Sequence, residues 1–129
     1  MFGTSGVRGV VGEEITPELA VKIGYAVGSD ADTVTVGRDT RTTGEGLENA
    51  VVSGINAAGA DAERVGVAPT PTVARDAEDT ALVVTASHNP PEYNGFKPIN
   101  SDGTAFDEEQ REKVENAVKG GVEPVEAAS

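Results

Sequence analysis

The sequence predicts an α/β fold, a three-layer α/β/α sandwich with helices on both faces of a mostly parallel (mixed) four-stranded sheet. Three observations carry that expectation. Short apolar runs alternate with segments of helical periodicity along the chain. Three of the runs stop abruptly in polar clusters, at Gly37–Arg41, Pro69–Thr72 and Thr85–Asn89. The run Ala81-Leu82-Val83-Val84 is apolar at every position, as a strand buried on both faces of a parallel sheet requires.

The elements follow in order. Phe2-Gly3-Thr4-Ser5-Gly6-Val7-Arg8-Gly9 sets three glycines and two hydroxyls around one arginine, a backbone able to approach a ligand closely, and Val7, Val10 and Val11 begin a strand. Thr16-Pro17 reads as an N-cap with proline at the first helical position; Leu19, Ile23 and Val27 recur at helical spacing until Gly28-Ser29. Thr33–Val36 is the next strand, ending in the Gly37–Arg41 cluster. Thr42 and Glu45 have capping-box spacing, and Leu47, Val51, Ile55 and Ala58 form one helical face closed by Gly59. Arg64–Ala68 is a third strand, Pro69–Thr72 a turn-rich segment, and a short helix fits between Val73 and Thr80.

After Val84 comes a stiff loop. Asn89-Pro90-Pro91 cannot continue a central strand, because proline lacks the ladder N–H and restricts the residue before it. Asn94-Gly95 is a further turn signal, Phe96–Ile99 is extended, and Ser101-Asp102-Gly103 turns a hairpin. Asp107 caps a last helix that carries acids first and Lys113 and Lys119 later, as the macrodipole favours. Residues 1–121 are expected to form one domain, and residues 122–129 a frayed linker toward a second domain.

The 129 residues suffice for a single core, and the absence of cysteine removes disulfides and thiolate metal sites. No apolar run is long enough for a membrane span, so a cytoplasmic protein is expected. With 10 basic and 22 acidic residues the net charge is −12, which disfavours nucleic acid and anionic membranes as partners. The acid excess and the four lysines also fit a protein adapted to high salt.

If the strands are parallel, the three polar clusters share one sheet edge, where α/β proteins bind ligands. They hold hydroxyls, guanidinium groups, one imidazole and one ammonium, a set suited to phosphate. Ser87 is the one plausible nucleophile. His88 is adjacent to it on the chain, where neighbours tend to point apart, and neither G-x-S-x-G nor the phosphate loop G-x-x-x-x-G-K-[ST] occurs. Arg38 and Arg41 are read as partners of Asp39 that tie loops together, Asn89 and Asn94 as turn residues, and Arg64, Arg75 and Arg111 as surface charge.

Thr85-Ala86-Ser87-His88-Asn89-Pro90 followed by Tyr93-Asn94-Gly95-Phe96-Lys97 resembles the active-site loop of the α-D-phosphohexomutases, the phosphoglucomutase/phosphomannomutase family. Phe2–Gly9 and Val36-Gly37-Arg38-Asp39-Thr40-Arg41 resemble two more motifs of that family, in family order. The resemblance implies domain I of a four-domain isomerase. Ser87 would carry a phosphoryl group to a hexose phosphate and recover another from the resulting bisphosphate, interconverting 1- and 6-phosphates. Lys97 would be a general acid/base, and Arg8 and His88 would balance the charge of the transferring group. Thr4, Ser5, Arg8, Ser87, His88 and Lys97 together would contact phosphate. Mg²⁺ would bind an oxygen of phosphorylated Ser87, its other ligands being aspartates of a further domain, so this domain alone is expected to be inactive. The rival readings are a non-catalytic phosphosugar- or nucleotide-binding module and, more weakly, an interaction domain.

Overall fold

A computed structural model describes residues 3, 6–86 and 89–120. Five strands, β1 (Val7–Val10), β2 (Thr33–Arg38), β3 (Asp61–Val67), β4 (Thr80–Val84) and β5 (Tyr93–Asn100), form one sheet in the order β1-β5-β4-β2-β3. β2 pairs parallel with β3 and with β4, whereas β5 runs antiparallel to both β4 and β1. The mixed α/β sandwich is as expected, but the sheet has five strands rather than four. The fifth is β5, which begins at Tyr93, before the Asn94-Gly95 pair that reads as a turn. Asn94 makes its turn-like bond inside the strand: its side-chain oxygen accepts the Gly95 amide at 2.9 Å.

The helices α1 (Pro17–Gly28), α2 (Gly44–Ala57), α3 (Thr70–Asp76) and α4 (Glu108–Gly120) complete the fold. On one sheet face Val7, Val34, Val36, Leu82, Val84 and Phe96 pack with the apolar faces of α1, α2 and α4. On the other, α3 places Val73 and Ala74 over Ala81, Val83 and Ile99. These buried side chains remove apolar surface from water at about 25 cal/mol per Å². The second face has only a helix of two turns, so the β1–β5 end of that face has no helix over it among the described elements.

Local sequence explains most boundaries. Thr16 Oγ1 accepts the Leu19 amide at 3.1 Å and caps α1. Asp107 and Gln110 form a reciprocal capping box at α4: Gln110 N donates to Asp107 Oδ1 at 2.8 Å and Asp107 N to Gln110 Oε1 at 2.9 Å. Two expectations are corrected. Thr42 and Glu45 make no capping box; α2 starts after Thr43, whose hydroxyl instead accepts the Asn94 amide at 2.9 Å. The segment Pro69–Thr72 is not a turn before a helix but its start, because a proline within the first helical turn deletes no intrahelical hydrogen bond.

Candidate functional site

β4 ends at Val84, and the chain re-enters the sheet at Tyr93, so residues 85–92 connect two neighbouring antiparallel strands. The flanks of this bridge are tied down in detail. Thr85 N donates to Gly95 O at 3.0 Å, Asn89 N to Ala86 O at 3.0 Å, and Tyr93 N to Pro90 O at 3.0 Å. The cluster after β2 reaches across to it. Arg41 Nη2 donates to Asn89 O at 2.7 Å, and its Nη1 to Pro90 O at 2.6 Å and Tyr93 O at 3.1 Å. Arg41 Nε faces Asp39 Oδ2 at 3.3 Å, and that carboxylate accepts the Thr85 hydroxyl at 2.8 Å.

Arg41 therefore pairs with Asp39 and ties loops together, as its sequence setting indicates. Arg38 does not share that role. Its Nε lies 3.3 Å from Glu48 Oε1 on α2, and Glu48 is also held at 2.6 Å by Arg64 from β3. Arg64, read from sequence as surface charge, thus compensates a buried carboxylate. No local signal shows this, since a glutamate within an amphipathic helix ordinarily marks the solvent face.

Arg8 lies on β1 directly opposite Gly95, and its Nη1 approaches Asn89 Oδ1 at 3.5 Å. Two glycines permit this arrangement. Gly6 has φ +84°, and a side chain there would run into the carbonyl oxygen of Phe96; one on Gly95 would run into that of Val7. Lys97 pairs with Val83, and strand alternation puts it on the same sheet face as Gly95, Arg8 and Val83, the sparsely covered one. There it lines an open concavity of about 610 Å³ with Thr70, Arg75, Ile99, Ser101 and Asp102. Arg75 brings a second cation to this concavity, which sequence spacing alone does not reveal.

Thr4, Ser5, Ser87 and His88 lie outside the described residues. Among those described, no three His, Cys, Asp or Glu side chains converge to hold a metal ion. The carboxylate that touches the loop, Asp39, is engaged by Arg41 and Thr85. The residues described thus do not fit a resident metal by themselves. Among them, no helix is long and apolar enough to cross a membrane. The arrangement can hold an anion: cations from β1 and β5 share one sheet face beside a braced loop, and arginine and lysine both suit phosphate oxygens.

Comparison with known proteins agrees with the three motifs. The family model for phosphoglucomutase/phosphomannomutase, alpha/beta/alpha domain I, matches residues 1–124. The phosphoglucosamine mutase of Methanococcus aeolicus is 46% identical over 120 residues, covering 92% of this chain and 26% of its own length. That of Methanococcus maripaludis is 43% identical over 120 residues, again 92% of this chain and 26% of the relative. The crystal structure of a phosphoglucomutase/phosphomannomutase family protein from Burkholderia thailandensis superposes with a TM-score of 0.80 at 32% identity, over 96% of this chain and 32% of that one. The chain thus spans about a quarter to a third of the length of these relatives.

Proposed function

Because this chain belongs to the phosphoglucomutase/phosphomannomutase family, we propose that it is the serine-bearing first domain of a phosphohexomutase, an isomerase whose remaining domains complete the site. Residues 1–121 form that domain, and residues 122–129 lead toward the next. The observation that carries the reading is the approach of Arg8 Nη1 to Asn89 Oδ1, which brings the first motif to the third across 81 positions of chain.

Ser87 holds a phosphoryl group on Oγ. A sugar hydroxyl attacks phosphorus, its proton passes to a base, and the P–O bond to Ser87 breaks. The bisphosphate then reorients, and Ser87 takes back its other phosphoryl group, so no phosphate is consumed. Phosphoryl transfer depends mainly on positioning and on stabilising charge spread over the equatorial oxygens. Arg8, with His88, supplies that charge; Lys97 is the proton donor and acceptor; Thr4 and Ser5 offer hydroxyls to the phosphate. Mg²⁺ would be held by an oxygen of phosphorylated Ser87 together with carboxylates outside this chain, and would neutralise charge on the phosphoryl oxygens.

Glucosamine phosphates are the first substrates to assay, since curated relatives carry the name phosphoglucosamine mutase. The acid excess supports work at high salt as part of the same proposal; unfolding as easy in molar KCl as in dilute buffer would argue against it. The test of function is turnover of glucosamine 6-phosphate by the chain extended through its further domains, beside its Ser87→Ala variant. Turnover lost in Ser87→Ala supports the reading, and turnover retained there refutes it. This chain alone is expected to show none.

A further inference from the structure

Arg41 is only 12% exposed, and its three guanidinium nitrogens meet three loop carbonyls and one carboxylate. Backbone carbonyls of 89, 90 and 93 are thereby fixed on one side of residues 87–88, and the hydroxyl of Thr85 is fixed to Asp39 on the other. Asp39 is itself oriented by the Arg41 amide, which donates to its Oδ1 at 3.1 Å. Asn89 is shared between two arginines: Arg41 holds its carbonyl oxygen and Arg8 approaches its side-chain oxygen.

We propose that Asp39 and Arg41 are positioning residues for phosphoryl transfer: a two-residue brace that clamps both flanks of the segment carrying Ser87 and registers it against Arg8. This rests on the functional reading above. Neither side chain touches the reacting atoms in this account; they act through Thr85 and Asn89. A guanidinium is needed because the acceptors diverge from one plane edge to the other, and a lysine ammonium offers donors from a single point. Transfer geometry tolerates displacements of only about 0.5 Å. A brace that slackens therefore lowers the rate of the chemical step more than it weakens sugar binding.

The experiment uses the multi-domain enzyme and its Arg41→Lys, Asp39→Asn, Thr85→Val and Thr85→Ser variants. Arg41→Lys is expected to lower kcat by about 100-fold, the penalty typical of a misplacement near 1 Å, with KM changed by less than about threefold. Thr85→Val is expected to lose part of kcat and Thr85→Ser, which keeps the hydroxyl, to recover it. The Asp39→Asn and Arg41→Lys losses should be non-additive, as for groups in one network. Hydrogen exchange, read on the same proteins, should speed up at the Asn89 and Tyr93 amides in Arg41→Lys while the β2 and β4 amides stay protected. A wild type without turnover overturns the functional reading and this proposal with it. A wild type that turns over beside an equally active Arg41→Lys overturns the brace alone. So does a kcat loss that Thr85→Ser shares, or one accompanied by general loss of sheet protection.

Discussion

Gly95→Ala adds one carbon where β1 lies against β5. Gly95 gives its carbonyl to the amide of Thr85, the residue after β4, so it faces Arg8 as the closer kind of antiparallel pair. A Cβ there overlaps the Val7 carbonyl oxygen and sits 2.9 Å from Arg8 Cγ and 3.0 Å from Arg8 Cα. Carbon atoms settle at about 3.5–4.0 Å, so β1 must retreat by about half an ångström or more. It can do so, being a four-residue strand that among the described strands lies at the sheet edge and pairs with β5. Overpacking of this kind costs about 1–3 kcal/mol. Taking about 2 kcal/mol and a urea dependence of about 1–3 kcal/mol per molar, the midpoint should fall by roughly 1 M. The same retreat carries Arg8 away from Asn89, so activity of the multi-domain enzyme should fall more steeply than stability. Urea unfolding followed by far-UV circular dichroism checks the first number. A midpoint within about 0.2 M of wild type would show that β1 has room to spare, and the account of Gly95 would be wrong.

Three further outcomes follow from other contacts. Glu48→Gln leaves Arg38 and Arg64 facing a neutral group; breaking a buried pair costs about 3–5 kcal/mol, but Arg64 is 42% exposed and can rehydrate, so about 2 kcal/mol is expected in urea unfolding. Thr35→Val should be neutral or stabilise by up to about 1 kcal/mol, because the buried Thr35 hydroxyl has no hydrogen-bond partner among the described residues; a clear loss of stability in the same assay would reveal one. The Asp102 carboxyl is held below its ordinary range, first by the Thr104 hydroxyl and then by the Thr104 amide. The charged form is therefore favoured by folding, and that contribution is present above the ordinary aspartate range and lost as pH falls through the lowered value. An NMR titration should show Asp102 titrating low, and Thr104→Ala should move it upward.

Much of this fold is legible because β4 is a buried run of Ala, Leu and Val and because α1 and α4 carry local caps, at Thr16 and Asp107. What escapes sequence reading is non-local. Arg64 reads as surface charge because its partner Glu48 lies 16 positions away on another element. Thr43 serves Asn94, 51 positions on, rather than its own helix, which is why the capping-box pattern at Thr42 misleads. Asn94-Gly95 reads as a turn because an asparagine bonding the next amide ordinarily makes one; here it does so within β5. Pro69 and Pro71 make Pro69–Thr72 read as a turn-rich segment, yet they sit at the start of α3, where a helix tolerates them. At the candidate site, the motifs single out Arg8 and Lys97, and the Asp39–Arg41 pairing is legible from adjacency along the chain, while the meeting of Arg75 with Lys97 at one concavity depends on how α3 packs over β2 and β4.

The central claim is that the Ser87 hydroxyl stores the phosphoryl group. Intact mass and peptide mapping of the multi-domain enzyme, purified after exposure to a hexose bisphosphate, test it directly. The account predicts the added mass of one phosphoryl group, mapped to Ser87 and missing from Ser87→Ala. A phosphoryl group on another residue, or an active enzyme that never carries one, would contradict it.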